Sequence, residues 1–296
     1  MKKTGMLVMM LLVLCVGQVW GASLPAIVST DWLEQNLGNP DLRIVDIRDL
    51  GEYKAGHIPG AVSAAYGSWA INVKPLDNEV PDIEDLQDVI RSAGISEKTM
   101  VVVVGKTDTV PNQVNSPRVA WTLQYAGIKQ AAFLDGGISK WLADKKPMST
   151  DMVKVAPTTV SIKFQKNMMA NKADVTAGKA LLVDSRLPEF YFGASKVPHV
   201  KRPGKIAGAV LLPSAWLFKK DGTLRDVSVI EAMAVGVVGK DKSKDMILYC
   251  DSGRLSSGFA YVLTNVLGYK NVRMYDASLQ DWVEDPKAPL VMYNWN

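Results

Sequence analysis

From Ile27 onward, short apolar runs alternate with stretches in which apolar positions recur every three or four residues. Arg43 to Val45 and Met100 to Val104 have no polar face, which predicts strands covered on both sides, and the spacing from about Ser29 to Leu37 predicts a helix. Farther along, Leu181 to Val183, Val210 to Leu212 and Ile247 to Tyr249 predict strands. Phe259, Val262, Leu263, Val266 and Leu267 fall at helical spacing, with Ser256 or Ser257 as cap and Gly268 as stop. Such alternation predicts an α/β fold built on mostly parallel sheets flanked by helices, whose ligands gather at the carboxyl ends of strands.

The pattern occurs twice. "LRIVDIRDLGEYKAGHIPGAV" (42–62) returns in looser form as "ALLVDSRLPEFYFGASKVPHVKRPGKIAGAV" (180–210), sharing Val-Asp-x-Arg and Ile-x-Gly-Ala-Val. "AGIKQAAFLDGGISKW" (126–141) returns as "LGYKNVRMYDASLQDW" (267–282), which pairs Gly127 with Gly268, Lys129 with Lys270, Asp135 with Asp276 and Trp141 with Trp282. A duplicated unit of roughly 130 residues follows. The expected division is a first domain over 23–146, a linker over 147–159 rich in Pro, Thr, Ser and charge, and a second domain over 160–296.

The segment 1–22 stands outside both units. Lys2 and Lys3 precede an apolar run from Met6 to Val16, and small residues close it near Gly21 and Ala22, the layout of a cleaved secretory signal. The run is short for a bilayer span of about 20 residues, and bulky Leu14 before Cys15 departs from a lipid-attachment signal. A periplasmic or otherwise exported protein without stable membrane insertion is expected. The full chain is 48 % apolar and 22 % charged. The formal charge of +4 loses two units with Lys2 and Lys3, so nothing calls for nucleic acid.

Cleavage would remove Cys15 and leave Cys250 alone, a thiol that in an oxidising compartment is either a small buried hydrophobe or a used group. Its position favours use. Ile247 to Tyr249 deliver Cys250 to the carboxyl end of a strand, and Asp251, Ser252, Gly253, Arg254 and Leu255 turn into a helix near Ser256. Loop amides and the first free N–H groups of that helix can converge on sulfur and favour thiolate, with Arg254 adding positive charge. The acidic neighbour Asp251 works in the opposite direction.

With the "VDIR…EYKAGHIPGA" and "VDSR…GKIAGAV" words, the "YCDSGRLSS" loop and the trailing "MYDASLQDW", the chain resembles the two-domain rhodaneses, thiosulfate and 3-mercaptopyruvate sulfurtransferases, from about Ile27 to Leu290. The resemblance implies two tandem rhodanese-like domains of which only the second keeps its cysteine. The first has Val104 or Gly105 there, followed by the longer "KTDTVPNQVNSP". It further implies that Cys250 takes sulfur from a small-molecule donor as a persulfide and passes it to a thiol or cyanide acceptor, with no cofactor and no metal. Arg186 matches the family's donor-binding arginine, and Asp251 to Ser256 would complete the donor site. Asp184, Asp46 and Arg48 are expected to brace their loops.

The loop is a hybrid: Ser252 and Gly253 follow the mercaptopyruvate type, while Asp251 and Arg254 fit neither type. A proton relay from Ser252 through His57 to Asp49 or Glu52 is one expectation for that type. The alternative is that His57 only hydrogen-bonds backbone. Lys205 stands where the family's histidine would be, on an expected solvated turn. A cysteine phosphatase would need arginine six residues after the cysteine, where Ser256 stands. The rival from another class is a sulfur or selenium carrier, or an accessory module with an envelope redox or assembly partner. A purely structural cysteine is the third.

Overall fold

The computed structural model describes residues 24–293, so the export segment expected over 1–22 lies outside the described residues. The first domain contributes β1 (Ile27–Val28), β2 (Leu42–Asp46), β3 (Val62–Ser63), a hairpin of β4 (Ile71–Val73) and β5 (Leu76–Glu79), β6 (Met100–Val104) and β7 (Ala131–Leu134). The second contributes β8 (Met169–Ala170), β9 (Leu181–Asp184), β10 (Lys205–Ile206), β11 (Val210–Leu211), β12 (Met246–Tyr249), β13 (Val272–Tyr275) and β14 (Leu290–Val291). The two five-stranded sheets are parallel and share one order, β3-β2-β6-β7-β1 and β11-β9-β12-β13-β8.

Strand alternation sorts each sheet into two faces. Val45, Val101, Val103 and Phe133 from the first, with Val183, Met246, Leu248 and Met274 from the second, belong to one continuous core shared by both domains. Ile44, Val102, Val104 and Leu134 face an outer core of the first domain, and Leu182, Ile247, Tyr249 and Tyr275 one of the second. This is why the strands read as unbroken apolar runs.

The helices Asn115–Tyr125 and Ser256–Asn265 meet inside the shared core, burying Val119, Ala120 and Leu123 with Phe259, Val262 and Leu263. Gln124 and Asn265 exchange hydrogen bonds of 3.0 and 3.1 Å across the seam, and the Tyr261 hydroxyl reaches the carbonyls of Ala26 and Ala131 at 2.7 and 2.9 Å. An apolar interface of this kind holds two domains in fixed relation.

The segment after the first domain is strapped down. Thr158 donates to the Ile95 carbonyl at 2.5 Å, Arg91 to the Val160 carbonyl at 2.8 Å, and the Ile162 amide to Gln87 at 3.1 Å. Val160 and Ile162 are buried, so the packing of the first domain runs past the composition change that marked the seam. At the other end, Ser29 caps the helix Thr30–Gln35 by accepting from the Trp32 amide. Among the described residues, no helix is long and apolar enough to cross a membrane.

Candidate active site

Tyr249 ends β12, the central strand of the second sheet, and Cys250 is the next residue, at the carboxyl edge. The loop then closes on itself. Its Cys250 and Gly253 amides donate to the Ser278 hydroxyl at 3.2 and 2.9 Å, and the Ser256 hydroxyl lies 3.7 Å from Cys250 Sγ and 3.1 Å from the Gly253 carbonyl. Gly253 has φ +73°, and a β-carbon there would overlap Asp276, so this turn requires glycine. The helix starts with Leu255 in the cap position and no side-chain cap bond. Ser256 and Ser257 therefore lie inside the helix rather than capping it: Ser256 turns toward the sulfur, and Ser257 donates to the Arg254 carbonyl at 2.6 Å.

Cys250 is 1 % exposed. Burial and then the Asp251 carboxylate push its thiol up from the ordinary value, against the amides of Ser256 and Ser252 and the Ser256 hydroxyl, which pull it down. The hydrogen bond made to the sulfur is that of the Ser256 hydroxyl. Taken alone it does not make a resting thiolate, because desolvation of the sulfur outweighs it.

Arg186, expected as a donor contact, is engaged by protein groups. Its guanidinium is buried, forks onto Asp184 at 2.7 to 3.2 Å, donates to the Gly204 carbonyl at 2.8 Å and reaches Asp251 at 3.3 Å. Burial opposes its charge, yet Asp184 and Asp251 outweigh that and hold the guanidinium firmly protonated. Arg48 does the same in the first domain, with Asp46 at 2.6 Å and the Gly56 carbonyl at 2.7 Å. Val-Asp-x-Arg is thus a loop brace in both domains. In the second it also holds Asp251, whose carboxyl is raised by burial and pulled down by Arg186.

Arg254 likewise turns from the sulfur. It donates to Asn115 at 2.8 Å and to Asn112 at 3.5 Å, both from the first domain, and lies over the Tyr66 ring at 5.1 Å. Leu255 is half-buried beside it. Ser252 accepts from Asn78 of the β4–β5 hairpin at 3.1 Å.

The relay through His57 is not formed. Its Nδ1 faces the Tyr53 carbonyl at 2.8 Å, its Nε2 faces the Asp151 carbonyl at 3.0 Å, and the ring stacks on Tyr53. Both nitrogens are occupied by backbone, and Glu52 pairs with Lys106 instead. Lys205 fills the matching slot of the second domain: its ammonium lies 4.2 Å over the Tyr191 ring and donates to the Ala209 carbonyl at 2.9 Å. It is a staple, not a free turn residue.

Several residues at the site escaped sequence reasoning. Arg118, fully buried in the helix Asn115–Tyr125, forms an ion pair of 2.5 Å with Asp276 and donates to the Asn78 carbonyl at 2.7 Å. It ties the first domain to the turn behind the cysteine loop. The signal was one cation within the apolar "SPRVAW". Glu79, at the end of the hairpin, is pushed up to about 7 by burial and by Asp276, with Arg118 opposing. His199 stands 3.9 Å from Asp77. Among the described residues, no group of three or more His, Cys, Asp or Glu is placed to hold a metal ion.

Two copies of one parallel α/β unit, with a single cysteine loop at the carboxyl edge of the second, define a tandem-domain α/β protein. The sequence model of the Rhodanese-like domain matches residues 29–144 and 164–285, so the chain belongs to the rhodanese family and carries two of its domains. The sulfur carrier protein TtuD of Thermus thermophilus is 30 % identical over 86 % of this chain and 93 % of its own. A Mycolicibacterium smegmatis protein provisionally named thiosulfate sulfurtransferase is 31 % identical over 89 % of this chain and 96 % of its own. The crystal structure of SseA from Escherichia coli, described with the rhodanese fold of 3-mercaptopyruvate sulfotransferases, superposes with a TM-score of 0.74. It is 24 % identical over 86 % of this chain and 98 % of its own, a likeness of fold.

Proposed function

We propose that this rhodanese-type sulfurtransferase moves a sulfane sulfur from thiosulfate or 3-mercaptopyruvate to a thiophilic acceptor through a persulfide on Cys250. The observation that carries the proposal is the placement of Cys250 at the carboxyl end of the central strand, with the Ser256 hydroxyl 3.7 Å from its Sγ. The thiolate attacks the outer sulfur of the donor; an S–S bond forms, and the bond to sulfite breaks with its electron pair leaving on sulfite. With 3-mercaptopyruvate the C–S bond breaks and pyruvate leaves as its enolate, which takes a proton. The acceptor then attacks the outer sulfur and returns Cys250 as thiolate. The Ser256 hydroxyl beside the sulfur stabilises the negative charge that opens and closes this cycle.

Arg186, Asp251, Ser252, Gly253, Arg254, Leu255 and Ser256 serve the reaction in this proposal chiefly by shaping the loop, since the charged side chains among them are already paired. The test is intact mass after exposure to each donor, with a Cys250→Ser control. A gain of one sulfur, absent in the control and removed by cyanide, is expected. No gain from either donor with the thiol still reduced overturns the proposal.

One observation favours a second reading, a sulfur carrier that works with a protein partner: the cysteine is almost fully covered, and its thiol is held protonated relative to a free one. In that case Cys250 would accept sulfur yet turn over poorly with cyanide or small thiols. Export through residues 1–22 belongs to the proposal as well, and the amino-terminal sequence of the mature protein tests it.

A further inference from the structure

Ser278 opens the helix Ser278–Trp282 with φ +54°, in the left-handed region that side chains with a β-carbon rarely adopt. Its partner in the first domain is Gly137, also at φ +54°. The match is fixed by backbone: the Ile138 amide donates to the Gly105 carbonyl at 3.0 Å, and the Leu279 amide donates to the Cys250 carbonyl at 3.1 Å. One unit meets this conformation with glycine, which bears it freely, and the other with serine, which is strained there.

The strained residue is fully buried and each hydrogen bond of its hydroxyl is local to the site. Ser278 Oγ accepts from Cys250 and from Gly253 and donates to the Tyr275 carbonyl at 2.8 Å. Two loop amides are thereby turned inward onto one oxygen. The Ser256 hydroxyl, held on the Gly253 carbonyl at 3.1 Å, is left facing the sulfur at 3.7 Å. Without that oxygen the Cys250 and Gly253 N–H groups would be buried and unpaired, and the loop would have to turn to satisfy them.

We propose that Ser278 is a positioning residue for sulfur transfer, whose hydroxyl fixes the cysteine loop in the shape that sets the Ser256 hydroxyl against Cys250. This inference rests on the sulfurtransferase reading for its consequence in turnover, but not for its effect on the thiol. The test compares Ser278→Gly and Ser278→Ala with the unaltered protein in melting temperature, in the pH profile of Cys250 alkylation by iodoacetamide, and in persulfide formation from thiosulfate. Ser278→Gly relieves the left-handed strain while removing the oxygen, so it is expected to melt near the unaltered protein. In both variants the alkylation midpoint moves to higher pH and persulfide forms about tenfold more slowly or worse, the scale of losing an aimed donor.

A residue that only supports the fold would give the reverse pattern, with melting temperature lost and the alkylation profile kept. Alkylation rates and midpoints within about twofold of the unaltered protein in both variants overturn the proposal, twofold being well below the effect of one aimed hydrogen-bond donor. Because alkylation needs no sulfur donor, failure of the unaltered protein to form a persulfide would count against the function above and leave this result readable. Should Ser278→Gly fail to fold, Ser278→Ala, which retains the β-carbon, gives the same reading.

Discussion

The loop after β12 and the segment after β6 occupy the same place in two copies of one fold and have become different objects. Tyr249 and Val104 end their strands with matching bonds, from the Ser185 amide at 2.9 Å and the Ile47 amide at 2.9 Å, so Cys250 answers to Gly105. A β-carbon at Gly105 would press on Ser116 and Ile47. Beyond it the chain takes a longer route through the helical turn Val110–Gln113, capped by Thr109, whereas the second domain makes a tight turn through Gly253. Ser185, Ser214 and Ser278 of the second domain correspond by backbone bonding to Ile47, Tyr66 and Gly137 of the first.

What the two copies share is scaffolding. Tyr53 and Tyr191 donate to the carbonyls of Ala61 and Ala209, Trp141 and Trp282 to those of Pro147 and Pro289, and each Asp-x-Arg pair braces its own loop. The repeated words hold the fold. The chemistry sits where the repeat breaks.

The strongest challenge to this contrast is to move the cysteine. In a Cys250→Ser background, Gly105→Cys is expected to gain no sulfur from thiosulfate by intact mass, since the first domain offers neither the space nor the tight amide turn. A persulfide on residue 105 would show that the loop is dispensable.

Next in size is the ion pair that joins the two regions. Arg118→Met leaves Asp276 buried without its cation and is expected to cost about 3–5 kcal/mol in denaturant unfolding. Adding Asp276→Leu should recover much of that stability without recovering sulfur transfer. Equal recovery of both would mean that the pair serves only the fold.

A smaller effect concerns Asp251, whose counterpart beside Gly105 is the oppositely charged Lys106. Asp251→Asn removes a negative charge that raises the thiol, so the alkylation profile of Cys250 should shift to lower pH. The rate at pH 7 should rise roughly threefold to tenfold, the scale of one nearby charge at a partly shielded site. For the unaltered protein the sign is that of a raised thiol: reactivity climbs as pH rises through the folded-state value. An unmoved profile would leave burial as the sole cause.

The mildest expectation concerns Glu79. Its folded value of about 7 lies above the ordinary 4.5, so its stabilising contribution is full below the ordinary value and is lost as pH rises through about 7. Glu79→Gln should therefore melt higher than the unaltered protein at pH 8 and at the same temperature near pH 4, as followed by circular dichroism.

Much of this was legible in the chain. Leu42–Asp46, Met100–Val104 and Met246–Tyr249 are strands because unbroken β-branched and apolar runs suit sheets covered on both faces. The duplication and the address of Cys250 were equally plain. Less legible was the aim of each polar side chain. Arg186, Arg254 and His57 are all present, but sequence neighbours cannot tell whether a guanidinium meets a donor or a carboxylate held by its own strand.

The sequence by itself determined the alternation of strand and helix, the twofold repeat, and a lone cysteine set at the end of a strand before a glycine turn, because these are local properties of adjacent residues. Only the tertiary structure decided that Arg118 reaches Asp276 across 158 positions, that Asn78 meets Ser252 across 174, and that two loop amides close on Ser278. The ionisation of Cys250 follows from those arrangements. Desolvation and the field of nearby charges depend on what the folded chain brings around the sulfur, and no spacing along the chain encodes that directly.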